Sequence, residues 1–320
     1  MLGSTFNRRA LLGTALAAAA AAMPVRRARA TQVTPVTVGR RPVAIAVNSA
    51  TGTAYVACAG DGSVSVINGG SVRHTVPVAR TVTGIAVNEV TGNVYVSNAR
   101  AGTVTVLHGV AGRVLSTIAA GPGAAVLGVD ETTNVVYAGS AATGAVTVID
   151  GIGNTLSAVL PGNGEPLAGV GMDPGRRLAY FTSAGTASVE VLDLDRHEFT
   201  GSVPVGEAPA GVAVHRGSNT IYVANSGVHH LSVVDGAART ERATVLLRSA
   251  ASAVAVHQRT RAAYTNGGPN GLVKIDGTRD QIVGELALGI NPGAVAVDQR
   301  TGTVYAADPV RETVHVITSF

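Results

Sequence analysis

Tryptophan is absent from this 320-residue chain, and aromatic residues of all kinds make up 3% of it. Flat side chains on which unpaired bases stack are therefore scarce, which counts against nucleic-acid binding. Cysteine occurs once, as Cys58, so neither an internal disulfide framework nor a four-cysteine zinc site can form. Charged residues are 14% and hydrophobic residues 46%, the opposite of the balance that keeps a chain disordered. Glycine is abundant, at 40, but follows no third-residue period, which excludes a collagen-type helix. The signatures HExxH, GxSxG, the calcium loop and the CxxCH haem anchor are all missing. No segment carries the sustained 3.6-residue apolar period of a long helix.

The first 30 residues read as an export signal. Arg8 and Arg9 precede the apolar stretch Leu11 to Met23, and the small-residue motif "ARA" at 28–30 resembles a cleavage site. The paired arginines point to the twin-arginine route. The uncharged run of about 16 residues is short of the ~20 that a helical span requires, so no membrane anchor is expected in the mature protein. The leader holds five arginines and no acid. The whole chain has 24 basic and 20 acidic residues, a formal charge of +4; from residue 31 onward 19 basic residues face 20 acidic ones. The mature protein is thus near neutral and lacks the clustered positive charge of a nucleic-acid surface. A secreted or envelope location follows, with residues 31–320 as the folded domain.

That domain repeats itself. Tyrosines fall at 55, 95, 137, 180, 222, 264 and 305, spaced by 40, 42, 43, 42, 42 and 41 residues. A second mark ends seven residues before each tyrosine: "IAVN" twice, then "LGVD", "VGMD", "VAVH" twice and "VAVD". Each unit carries four short runs with period-2 alternation and many β-branched residues. In the second unit they are Thr83–Val87, Val94–Ser97, Thr103–Leu107 and Val114–Ala119, separated by turn-forming sequences. Seven units of about 42 residues with four antiparallel strands predict an all-β, seven-bladed β-propeller. Small residues in the first strand suit the crowded centre. Val106, Val148, Val191, Val233 and Ile275 in the third strand suit the space between sheets. "INGG", "IDG" and "VDG" after that strand are hairpin turns, so their Asp and Asn residues are turn formers.

The last unit has three strand signals, near Ala294–Val297, Thr303–Ala306 and Thr313–Ile317. At the other end Val33–Val38 stands alone and resembles the fourth strands of other units. The simplest arrangement pairs it with Thr313–Ile317, completing the seventh blade and leaving no exposed edge at the seam. A linear β-solenoid is the alternative, with both ends uncapped.

The fragments "YVSN" at Tyr95–Asn98, "YVAN" at Tyr222–Asn225 and "YVAC" at Tyr55–Cys58, with the unit at 209–236, resemble the YVTN-type propellers, also called YncE-like or surface-layer-type. The likeness runs over nearly all of residues 31–320. It implies an exported binding, surface or envelope protein. One branch of the family is tied to DNA, and related propellers include streptogramin-type lyases, lactonases and dehydrogenase subunits. The motif is structural and carries over no catalytic residue. Its fourth position varies here: Cys58, Asn98, Ser140, Ser183, Asn225, Gly267 and Asp308. An Asn there closes the following loop through backbone hydrogen bonds; Cys58 and Asp308 leave it open to another role.

A propeller gathers on one face the loops between strands four and one and those between strands two and three. The channel mouth on that face is the expected ligand site. The first set of loops offers Arg41, Arg80, Glu165, Glu207, Arg248 and Asn291; the second offers His229, His230, Asp308 and Arg311. Both signs of charge suit a small polar molecule, a peptide or an envelope component. No cofactor or metal is implied. Adjacent His229 and His230 point opposite ways on a strand, which argues against a shared metal. His215 and His257 stand where other units have Asn or Asp and read as strand-end caps. Cys58 has Asp61 nearby but no histidine, and reads as a small packed hydrophobe. Enzymatic alternatives would draw on His229, His230, Glu207 and Arg248 as a lyase, or on Glu165, Glu207, Asn225, Asn291 and Asp308 around a divalent ion as a lactonase.

Overall fold

The computed structural model describes residues 30–320; the leader reading falls on residues outside that range, apart from Ala30. Seven four-stranded antiparallel sheets make up the domain. Blade one runs through Pro42–Asn48, Thr53–Cys58, Ser63–Asn68 and Ser71–Pro77. Blade six runs through Val254–Val256, Ala262–Gly268, Gly271–Asp276 and Gln281–Ala287. The first strands touch one another in order round a closed ring, that of blade seven, Ala294–Val297, meeting that of blade one. Second and third strands are almost wholly buried, and fourth strands form the exposed rim. The four strand signals read in the second unit coincide with the observed ones to within one residue at each end.

The seam is built as the sequence predicts. Gln32–Thr37 pairs antiparallel with Thr313–Thr318, with Val33 opposite Ile317 and Val36 opposite Val314. Val36 joins a core cluster with Val56, Ile67 and Val314, so the strand locks blade seven and packs against blade one. A solenoid is excluded by this closure.

All seven tyrosines are buried, at most 7% exposed. Each reaches toward the following blade: the Tyr55 hydroxyl fills the space where a side chain at Gly109 would stand, and that of Tyr222 does the same at Gly277. The strand-three residue opposite each tyrosine is Val66, Val106, Val148, Val191, Val233 and Val316 in six blades, and Lys274 in the sixth. Ile275, grouped with those valines by the sequence pattern, lies one residue further along, opposite Ala263. It is fully buried but on the other face of its sheet.

Candidate functional site

On the face carrying the four-to-one and two-to-three loops, ion pairs and loop closures engage several of the sequence-predicted residues. Arg41 is exposed and takes a left-handed backbone, φ 51°, while its carbonyl accepts from the Ala59 N–H. Arg40 beside it donates from Nε and from its backbone N–H to Asp61, each at 2.5 Å, and those bonds hold the Asp61 carboxyl below its usual value. Arg80 and Arg100 line a cavity of about 350 Å³ with Thr81, Asn98 and Ala101. The Glu165 side chain lies over Gly185, and Glu207 packs beside Gly227. Arg248 is paired with Glu285, Nε to Oε1 at 3.0 Å. His229 is exposed; His230 is half-buried against Gly206 and Asn225. Neither forms an ion pair with a carboxylate among the described residues.

Three sequence-predicted residues do come together. Asn291, Asp308 and Arg311 line a cavity of about 200 Å³ with Gly289, Ile290 and Val310, between the loop that enters blade seven and the loop joining that blade's second and third strands. Asp308 is 1% exposed. Its Oδ1 accepts from the backbone N–H groups of Val310 and Arg311 at 2.9 and 3.0 Å. Asp308 thus closes its loop as Asn98 does through Ala101 N–H at 3.0 Å, and the expectation that Asp leaves the loop open is corrected. Its second oxygen, Oδ2, is buried with no hydrogen-bond partner, and Arg311 stands 3.8 Å from it.

His315, on the third strand of the same blade, escaped the sequence reading. In blades one, three and five the equivalent strand-three side chain bonds the chain entering its own blade: Ser65 accepts from Gly39 N–H, Thr147 donates to the Ala120 carbonyl, and Ser232 accepts from Gly206 N–H. His315 occupies that position in blade seven, opposite Ala306, with both ring nitrogens buried and unpartnered. Burial pushes its pKa down, against the pull of Asp308. Aligning the repeats on their tyrosines would have exposed His315, since Ser or Thr fills the same slot in four of the other blades.

Among the described residues no three His, Cys, Asp or Glu side chains stand close enough together to hold a metal ion. Cys58 is fully buried, and burial raises its thiol pKa; it is the packed residue the sequence predicts. The His215 and His257 rings bond to Ser218 and Thr260 within their own turns and to the carbonyls of Gln258 and Gln299 in the next blade. No helix among the described residues is long and apolar enough to cross a membrane.

No family model matches the chain. No curated protein matches it either. Among solved structures, a chain of hydrazine synthase from Kuenenia stuttgartiensis superposes with a TM-score of 0.75 over 87% of this chain and 96% of that one, at 14% identity. A likeness at that level of identity concerns the propeller fold alone.

Proposed function

We propose that the chain is an exported propeller of the YVTN type that binds a small polar ligand, a peptide or an envelope component on its loop face. The reading rests chiefly on the loop cavity of blade seven. There the buried Asp308 Oδ2 has no hydrogen-bond partner and the exposed Arg311 guanidinium stands 3.8 Å from it; in the same blade both ring nitrogens of His315 are buried without a hydrogen-bond partner. Buried polar groups are normally satisfied, so such a set is suited to a ligand that offers donors to Asp308 and an acceptor to Arg311. A polar molecule carrying both an amine and an acidic group has that pattern. Placement outside the cytoplasm rests on the leader sequence, with its paired arginines and "ARA" motif.

Native mass spectrometry of the exported, processed protein tests this reading, with Asp308→Asn as the comparison. Asparagine keeps the loop closure, as Asn98 does in blade two, and removes only the charge. The expected result is a copurified ligand on the parent protein that is lost from the variant. An empty parent protein, or a ligand held equally by both, would overturn the assignment.

A further inference from the structure

The loop cavity of blade two arises from a difference between two repeats. In blade one, Arg40 precedes Tyr55 by 15 residues, and Gly60 and Asp61 follow it by five and six; Arg80, Arg100 and Ala101 stand at the same distances from Tyr95. The two-to-three loops of both blades have the same length and turn through a left-handed glycine, Gly62 at φ 63° and Gly102 at φ 64°. Blade one is closed here. Gly60 N–H donates to the Arg40 carbonyl and Ala59 N–H to that of Arg41, both at 2.9 Å. The approach is so tight that a Cβ at position 60 would lie 2.7 Å from the Arg40 Cβ. Arg100 carries that Cβ in blade two, so the same closure would clash. Ala99 N–H bonds the Thr83 hydroxyl instead, at 3.2 Å, and the cavity of about 350 Å³ lies between the loops.

The charge changes with the shape. Asp61 neutralises Arg40 in blade one, accepting from its Nε and its backbone N–H. Blade two has alanine at the Asp61 register and a second guanidinium beside it. Among the described residues neither Arg80 nor Arg100 forms an ion pair, and no lining residue of the cavity is acidic. Thr81 and Asn98 add a hydroxyl and an amide to the lining. The Asn98 oxygen is committed to Ala101 N–H at 3.0 Å, which leaves its NH2 group to donate. Every polar side chain around the cavity can therefore act as a donor, and two of them are cationic.

A guanidinium is a planar fork matched to a carboxylate, and two forks on two loops call for two carboxylates. A lone phosphate or sulfate would occupy one fork and leave much of a space of about 350 Å³ unfilled. We propose that this cavity binds a small dicarboxylate. One acid group takes on Arg80 the place that Asp61 takes on Arg40, and the other lies on Arg100. Both arginines are exposed, so solvent and salt screen each contact and the affinity is modest. The site shares no residue with the blade-seven cavity, so either assignment can fail without the other.

Succinate titrated into the processed protein at low salt, followed by calorimetry, tests the proposal. It should bind saturably, with a Kd on the order of 1 mM or tighter. Acetate and inorganic phosphate should each bind at least ~10-fold more weakly, a step of about 1.4 kcal/mol. Arg80→Gln and Arg100→Gln should each weaken succinate by the same factor while melting with the parent, since both side chains are exposed. Ala101→Asp supplies the chain's own carboxylate at the Asp61 register and should block the site as well. Arg113→Gln removes an exposed charge from the outer strand of the same blade and should bind succinate as the parent does. No saturable binding by the parent, equal binding of acetate or phosphate, undiminished binding by either cavity-arginine variant or by Ala101→Asp, or an equal loss in Arg113→Gln would each overturn it.

Discussion

Arg177 donates from Nε to Asp195 at 2.8 Å and from a terminal nitrogen to Asp130, whose side chain is fully buried at the end of the first strand of blade three. Burial alone would raise the Asp130 carboxyl. Hydrogen bonds from Arg177, Thr133 and the Thr132 N–H outweigh it and hold the pKa below the usual value. A carboxyl lowered in the native state contributes stability above its unfolded pKa, and that contribution fades as pH falls through the native value. Arg177 itself takes a left-handed backbone, φ 56°, which asparagine tolerates. Arg177→Asn therefore removes the guanidinium without adding backbone strain and leaves Asp130 unpaired. The expected loss at neutral pH is about 2–3 kcal/mol, below the ~3–5 kcal/mol for breaking one side of a fully buried pair because Arg177 is partly exposed. The gap between variant and parent should narrow in acid, where Asp130 is protonated in both. Urea unfolding across that pH range measures it, and a gap that stays constant would show the ion pair to be irrelevant.

The turns after the first strands form a belt from blade to blade. Ser49 N–H donates to Glu89, and Glu89 N–H to Glu131, at 3.0 and 2.8 Å. Arg216 N–H donates to Gln258, Gln258 N–H to Gln299, and Gln299 N–H to Ser49 Oγ, which carries the belt across the seam. Glutamine and glutamate serve the same acceptor role, but Glu89 is half-buried next to Glu131. Burial and that neighbouring charge raise its pKa, in that order. The native state then holds this proton more tightly than the unfolded chain, so the parent gains stability as pH falls through the raised value. Glu89→Gln copies the residue of blades six and seven. It should stabilise the protein by about 0.5–1 kcal/mol at neutral pH, the scale of a half-exposed charge pair. The gain should vanish in acid, as followed by melting temperature against pH. The belt explains why the seven-residue mark is so regular, and its capping role was legible because Asn, Asp and His alternate at one register. Cavities and packing partners were not legible, because they depend on which residue faces a neighbouring sheet or loop. Ile275, grouped with the strand-three valines by the sequence pattern, packs opposite Ala263 while Lys274 stands opposite the tyrosine, and the loop-face residues sort into separate cavities only once the ring has its geometry.

Ring closure governs the molecule as a whole. Every outer strand is an edge, and proline blunts several of them, at Pro35, Pro77 and Pro204. The seam differs from the other blades because its fourth strand comes from the far end of the chain and is held by strand pairing and the packing of Val36, with no hairpin. Removing residues 31–38 would strip Val36 from its cluster and leave Thr313–Thr318, sequence TVHVIT, as an open β-branched edge without proline. The loss should be comparable with the ~5–15 kcal/mol total stability of a domain, and the truncated protein should self-associate through that edge. Adding the peptide TQVTPVTV in trans should restore the monomer in sedimentation experiments, since it reproduces the pairing of Val33 with Ile317 and Val36 with Val314. A peptide with proline in place of Val33 and Val36 should fail to do so. A truncated chain that stayed monomeric and melted with the parent would mean that the first strands, packed round the centre, hold the ring without the seam.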